Sequence, residues 1–100
     1  MPTHHYLCAA DRPLDDELVA AFRGAQVAGA DALVVVFPGE AKLSRELVPV
    51  IVALARGAPG LTALALVHES PTLSFVASSL ALQLPGVRVR SAANVETAGL

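Results

Sequence analysis

Residues Ala32-Leu-Val-Val-Val-Phe37, set between Gly29-Ala-Asp31 and Pro38-Gly39, decide how this chain folds. The run is apolar throughout, rich in β-branched valine, and bounded on both sides by turn-forming residues. Such a stretch is too short for an ordinary helix and reads as a strand. It shows no polar–apolar alternation, so both of its faces are expected to be covered. That is the pattern of a central strand in a parallel sheet.

Outward from this strand the chain alternates. Leu61 to Val67 is a second apolar strand, introduced by the turn Gly57-Ala-Pro-Gly60. Upstream, His5 to Ala9 is a short first strand, broken by Asp11-Arg12-Pro13. Downstream, Val87-Arg-Val-Arg90 alternates apolar with charged residues, as a half-exposed edge strand does, and its arginines discourage further pairing.

The segments between the strands carry helical spacing. A first helix is expected to open at Asp15 as its cap, with Leu14 and Val19 forming a hydrophobic staple. Asp16 and Glu17 then fall in the first turn, Leu18, Phe22 and Ala25 form the inner stripe, and Gly29 ends the helix. A second helix is expected from Ser44 to Arg56, with Leu47, Val50, Ile51, Leu54 and Ala55 inward. Pro49 conflicts with that start, so this helix begins a few residues late or has an irregular first turn. A third opens at Ser70-Pro71, buries Leu73, Val76, Ala77, Leu80 and Leu84, and stops at Pro85-Gly86. Asn94 to Ala98 can form one last helical turn. The order βαβαβαβ predicts an α/β fold: a small, mostly parallel sheet of about four strands joined by right-handed helical crossovers.

Bulk properties narrow the function. A chain of 100 residues fits one domain, 1–100. With 54% hydrophobic and 16% charged residues it is not a disordered chain. The net charge of −2 and the scattered basic residues, with Arg88 and Arg90 the only local pair, argue against nucleic acid. One cysteine, Cys8, cannot form an internal disulfide. The start, Met-Pro-Thr-His-His-Tyr, lacks the features of a secretory signal, and no apolar run approaches the roughly 20 residues that span a bilayer. A soluble, cytoplasmic protein without membrane insertion is expected.

Sites in parallel sheets lie beyond the carboxyl ends of the strands. Here those ends carry Ala10-Asp11-Arg12, then residues 39–44, then His68-Glu69-Ser70. His68 and Glu69 are neighbours on a strand end, so they point apart and read as a solvated terminus rather than an acid–base pair. His4 and His5 alone are no metal-ligand set. Cys8 reads first as a small buried hydrophobe, as free cysteines usually are, but it also precedes a helix start, where a thiolate gains from the helix dipole. That position resembles the nucleophile of sugar-transport phosphocarrier domains. The loop after it, Ala-Ala-Asp-Arg-Pro-Leu-Asp-Asp, lacks the glycine and serine that wrap a phosphate. No P-loop, dinucleotide fingerprint or nucleophile elbow is present, and the central strand does not end on the aspartate of a response-regulator receiver. No cofactor and no metal are expected.

The segment Tyr6 to Phe22, the strand Ala32 to Gly39, the Ser70-Pro-Thr-Leu-Ser-Phe-Val-Ala77 segment and the stretch Val87 to Ala98 together resemble a STAS domain, the fold of anti-sigma factor antagonists. In that family the loop after the central strand reads Asp-Ser-Ser/Thr-Gly-Leu, and its first hydroxyl residue is phosphorylated by a partner kinase. The matching stretch is Leu43-Ser-Arg-Glu-Leu47, which lacks the Asp and replaces small residues with Arg45 and Glu46; the family's first strand is also missing. The resemblance implies a non-catalytic regulatory module. It would bind a protein partner, a kinase-type anti-sigma factor or a larger regulatory assembly, through Gly39, Glu40, Lys42, Ser44, Arg45 and Glu46. Ser44 is the implied phosphorylation site, and a plain helix cap is its structural alternative. A phosphocarrier-type enzyme using Cys8 is the alternative function.

Overall fold

In the computed structural model, which describes residues 3–93, strands and helices alternate strictly. They are β1 (Thr3–Leu7), α1 (Leu14–Val27), β2 (Ala32–Val36), α2 (Leu47–Arg56), β3 (Ala63–Val67), α3 (Thr72–Gln83) and β4 (Arg88–Ala92). The sheet is wholly parallel with order β1-β2-β3-β4, so each strand pairs with its predecessor in the chain. The fold class is therefore as expected: α/β, four parallel strands, βαβαβαβ.

This order has a geometric consequence. Every crossover steps in the same direction, and with a common hand the three described helices fall on one face of the sheet. The core agrees. Leu33 and Val35 of β2 and Leu64 and Leu66 of β3 join Leu18 and Phe22 of α1, Ile51 of α2 and Leu80 of α3 in one buried cluster. The opposite alternation gives a second cluster, Val34, Ala65 and Val67, with Val36 and Ala92 packed against it. Among the described residues no helix contributes to that second cluster. The absence of alternation in β2 is thus real burial on both faces, with the described helices on only one.

Helix boundaries shift where loop chemistry overrides the sequence signals. Helix α1 begins at Leu14, not Asp15, because Pro13 holds an extended ψ of 139° and its carbonyl accepts the Glu17 amide. Asp15 is therefore no cap but a first-turn carboxylate, and the staple is not closed, since Val19 is exposed. The C-terminus of α1 follows the expectation. Gly29 takes a φ of 67° while its amide bonds the Gln26 carbonyl and the Ala30 amide bonds the Ala25 carbonyl, a Schellman closure.

Helix α2 starts at Leu47, three residues after Ser44, and has no side-chain cap. Pro49 thereby lands in the first turn, where an amide would have no partner within the helix, and the conflict over its position disappears. Helix α3 begins at Thr72 with Pro71, not Ser70, at the cap position; the Ser70 hydroxyl nevertheless accepts the Thr72 amide at 3.3 Å, and all five expected inner residues are buried. Strand β1 sits two residues earlier than expected because the chain after Leu7 turns toward Glu17; only the Cys8 amide continues the ladder, to the Val36 carbonyl. The helical turn expected at Asn94 to Ala98 lies outside the described residues.

Candidate functional site

Three loops leave the carboxyl ends of β1, β2 and β3, and their chemistry differs. The first is tied down from beneath. Glu17 of α1 is only 1% exposed. Its Oε1 accepts the Ala9 amide at 2.5 Å, its Oε2 accepts the Tyr6 hydroxyl at 2.8 Å, and Arg12 Nη1 lies 3.9 Å from Oε2. The Ala9 amide above all, then the Tyr6 hydroxyl and the Arg12 charge, hold the Glu17 carboxyl below its ordinary range against the opposing effect of burial. The same bond to Glu17, with burial, pushes the Tyr6 phenol up.

Cys8 lies in this setting. Burial, followed by the negative charge of Glu17, raises its thiol to about 11. At neutral pH the group is a protonated, buried sulfhydryl, which is a poor nucleophile. Among the described residues no basic group lowers it, and Cys8 is the small buried side chain that a lone cysteine is expected to be.

The third loop is closed by His68. The Ser70 amide donates to His68 Nδ1 at 3.0 Å, so Nδ1 carries no proton and Nε2 donates to the Pro38 carbonyl, also at 3.0 Å. The ring meets Phe37 edge to face, with centroids 6.5 Å apart. Nε2 joins the loop after β3 to the loop after β2, Nδ1 fixes the ring within its own loop, and Glu69 is exposed beside them. His68 is a clasp and not the solvated strand end expected; only Glu69 fits that expectation. His4 packs over Gly24, where an added Cβ would lie 2.7 Å from its Nε2, while His5 is exposed. Among the described residues no group of three or more His, Cys, Asp or Glu side chains is placed to hold a metal ion.

The second loop, residues 38–46, is of another kind. Gly39, Glu40, Lys42, Ser44, Arg45 and Glu46 are all exposed, while Ala41 and Leu43 pack inward as anchors. The Ala41 amide bonds the Pro38 carbonyl, and the Leu47 and Val48 amides bond the carbonyls of Ser44 and Arg45. The side chains of Glu40, Lys42, Ser44, Arg45 and Glu46 make no hydrogen bond or ion pair with any described residue. The Ser44 hydroxyl is therefore not a helix cap but a free, accessible group.

Arg45 also borders a feature the sequence reading passed over. It lines, with Val48 of α2 and Phe75, Ser78, Ser79 and Leu82 of α3, a groove of about 380 Å³. Phe75 is 72% exposed and Leu82 85% exposed. The signal was present: α3 reads Thr-Leu-Ser-Phe-Val-Ala-Ser-Ser-Leu-Ala-Leu-Gln, without one charged residue, whereas an outward helix face ordinarily carries charge. The loop residues and this apolar face thus meet at Arg45 and form one continuous surface.

No described helix is long and apolar enough to cross a membrane. No family model matches the chain, and neither a curated protein nor a solved structure matches it.

Proposed function

We propose that this chain is a non-catalytic, cytoplasmic regulatory module that docks a protein partner through residues 39–46 together with the outer face of α3. The observation that supports this most is the groove between Arg45 and the exposed pair Phe75 and Leu82. Two large apolar side chains seven residues apart on one helix, with serines between them, suit an apolar helix laid alongside. Arg45, unpaired at the rim, favours an acidic residue on that helix. Within this reading the STAS resemblance supplies the class, an anti-sigma factor antagonist, and the partner, a kinase-type anti-sigma factor. Ser44 is the switch. A phosphate there adds charge next to Arg45 at the margin of the docking surface and alters the fit. The phosphocarrier alternative has the burial and high pKa of Cys8 against it.

The test is a photo-crosslinking amino acid placed at Ser78, with the crosslinked species identified by mass spectrometry. A discrete protein adduct that is lost in the Phe75→Glu, Leu82→Glu double variant and changed by Ser44→Asp supports docking at this surface. A protein adduct indifferent to those substitutions, or a function abolished by Cys8→Ser alone, overturns the proposal.

A further inference from the structure

Helix α3 buries Leu73, Val76, Ala77 and Leu80, while its outer side carries Phe75 and Leu82 in the open. The seven residues between these two are about two turns, so they stand in line along the axis, roughly 10 Å apart. Ser78 and Ser79 lie between them on the same side and line the same groove. The order of sizes at 75, 78, 79 and 82 is therefore large, small, small, large, and it reads the same from either end. A second α3 laid antiparallel, on a two-fold axis between Ser78 and Ser79, sets Phe75 against Leu82 of the other copy at both ends. Serine then meets serine in the middle, where small side chains let the two axes approach to about 8 Å.

Charge agrees with that direction. No residue of α3 is charged, so no like charges on the two helices oppose each other, and the last turn has no basic residue to answer the negative end of the helix dipole. Arg45 borders the groove beside Phe75 and forms no ion pair with any described residue. In the antiparallel pair Phe75 faces Leu82 of the second copy, so Arg45 comes to the last turn of that copy's α3, where a cation is favoured. The two arginines then stand at opposite ends of the interface. A parallel pair would bring them together and align the two dipoles side by side, and both effects are repulsive.

We infer that the outer face of α3 is covered by a second copy of this chain, in an antiparallel α3–α3 pair with Arg45 reaching the other copy's helix end. The inference rests on the reading of this face as a docking surface and adds a competitor for it. A different partner gains the face only by displacing the second copy.

The experiment is sedimentation equilibrium of the purified full chain. It should associate from 10.3 kDa toward twice that mass. A dissociation constant of about 10–100 μM suits an interface of one helix pair. Phe75→Lys and Leu82→Glu should each weaken association by about ten-fold or more, and Arg45→Gln by about three-fold or more. Mixed together, the Phe75→Lys and Leu82→Glu chains should associate again. The antiparallel pair sets the introduced lysine against the introduced glutamate and keeps one Phe75–Leu82 contact, whereas a parallel pair does neither. Misfolding of either variant would not be rescued by mixing, and both positions are exposed. A chain that stays monomeric to about 1 mM, variants that associate as well as the unaltered chain, or a mixture no better than its components would each overturn the inference. The crosslink at Ser78 separates this outcome from the docking proposal. A monomeric purified chain with an adduct to a different protein keeps that reading and sinks this one, and an adduct of two identical chains alone does the reverse.

Discussion

The loops after β1 and β2 leave the same edge of the same sheet, one strand apart, yet they are built on opposite terms. In the first, a carboxylate from the following helix reaches back to hold the strand's Tyr6 and the loop's Ala9 amide. In the second, the carbonyls and amides close ordinary turns, but its exposed polar side chains grip nothing among the described residues. A loop fixed by a buried ion is part of the fold's own support. A loop fixed only by its backbone and two small anchors leaves its side chains to whatever arrives.

The sharpest way to break this contrast is Glu17→Ala. It leaves the Tyr6 hydroxyl and the Ala9 amide without their acceptor and opens a void. We expect a loss of about 3 kcal/mol in denaturant unfolding, with Tm lower by roughly 12–20 °C. Acid should reproduce part of this. The folded-state carboxyl is held below its ordinary value, so the stability it contributes is complete above that value and is lost as pH falls through it toward the folded one. A urea midpoint followed downward from neutrality should therefore decline, and Glu17→Gln should flatten that decline.

Tyr6→Phe keeps the ring and removes one bond, for an expected cost of about 1 kcal/mol. Cys8 sharpens the picture at alkaline pH. Its thiol is moved from 9.0 to about 11, so the folded state holds a proton the unfolded chain releases, and stability should fall as pH rises through that window. Alkylation of Cys8 at mild pH should accordingly be slow in the native protein and fast in denaturant, as judged by mass spectrometry. At the small end, Gly39→Ala, Glu40→Gln and Lys42→Gln should each change unfolding free energy by less than about 0.5 kcal/mol, since Gly39 has no positive φ and an added Cβ there meets nothing. A large loss from any of these three would erase the distinction between the loops.

Much of this is legible in the sequence. The valine run, the alternation at Val87 to Arg90, the Gly29 stop and the Ser70-Pro71 start gave the element order, because each is a local signal that tertiary contacts reinforced. Glu17 was read as a first-turn acid, which it is, but its burial was not anticipated. Its place between Leu14 and Ala21, beside Leu18 on the inner stripe, pointed inward, but the identity of the residue outweighed its position. The Ser44 cap failed because three further residues were needed to carry the chain from Pro38 back over the sheet. Phe75 and Leu82 were readable from the uncharged composition of α3.

The strand order carries a last implication, for how the molecule comes into being. No strand is inserted between two that precede it; each is laid on the margin exposed by the one before. A chain emerging from the ribosome can therefore settle one βα step at a time, with no early segment held open for a late arrival. Partners in the sheet are never separated by much more than one such step, so pairing proceeds in chain order, although each pairing must wait for a whole crossover to close, the slow event common to parallel sheets.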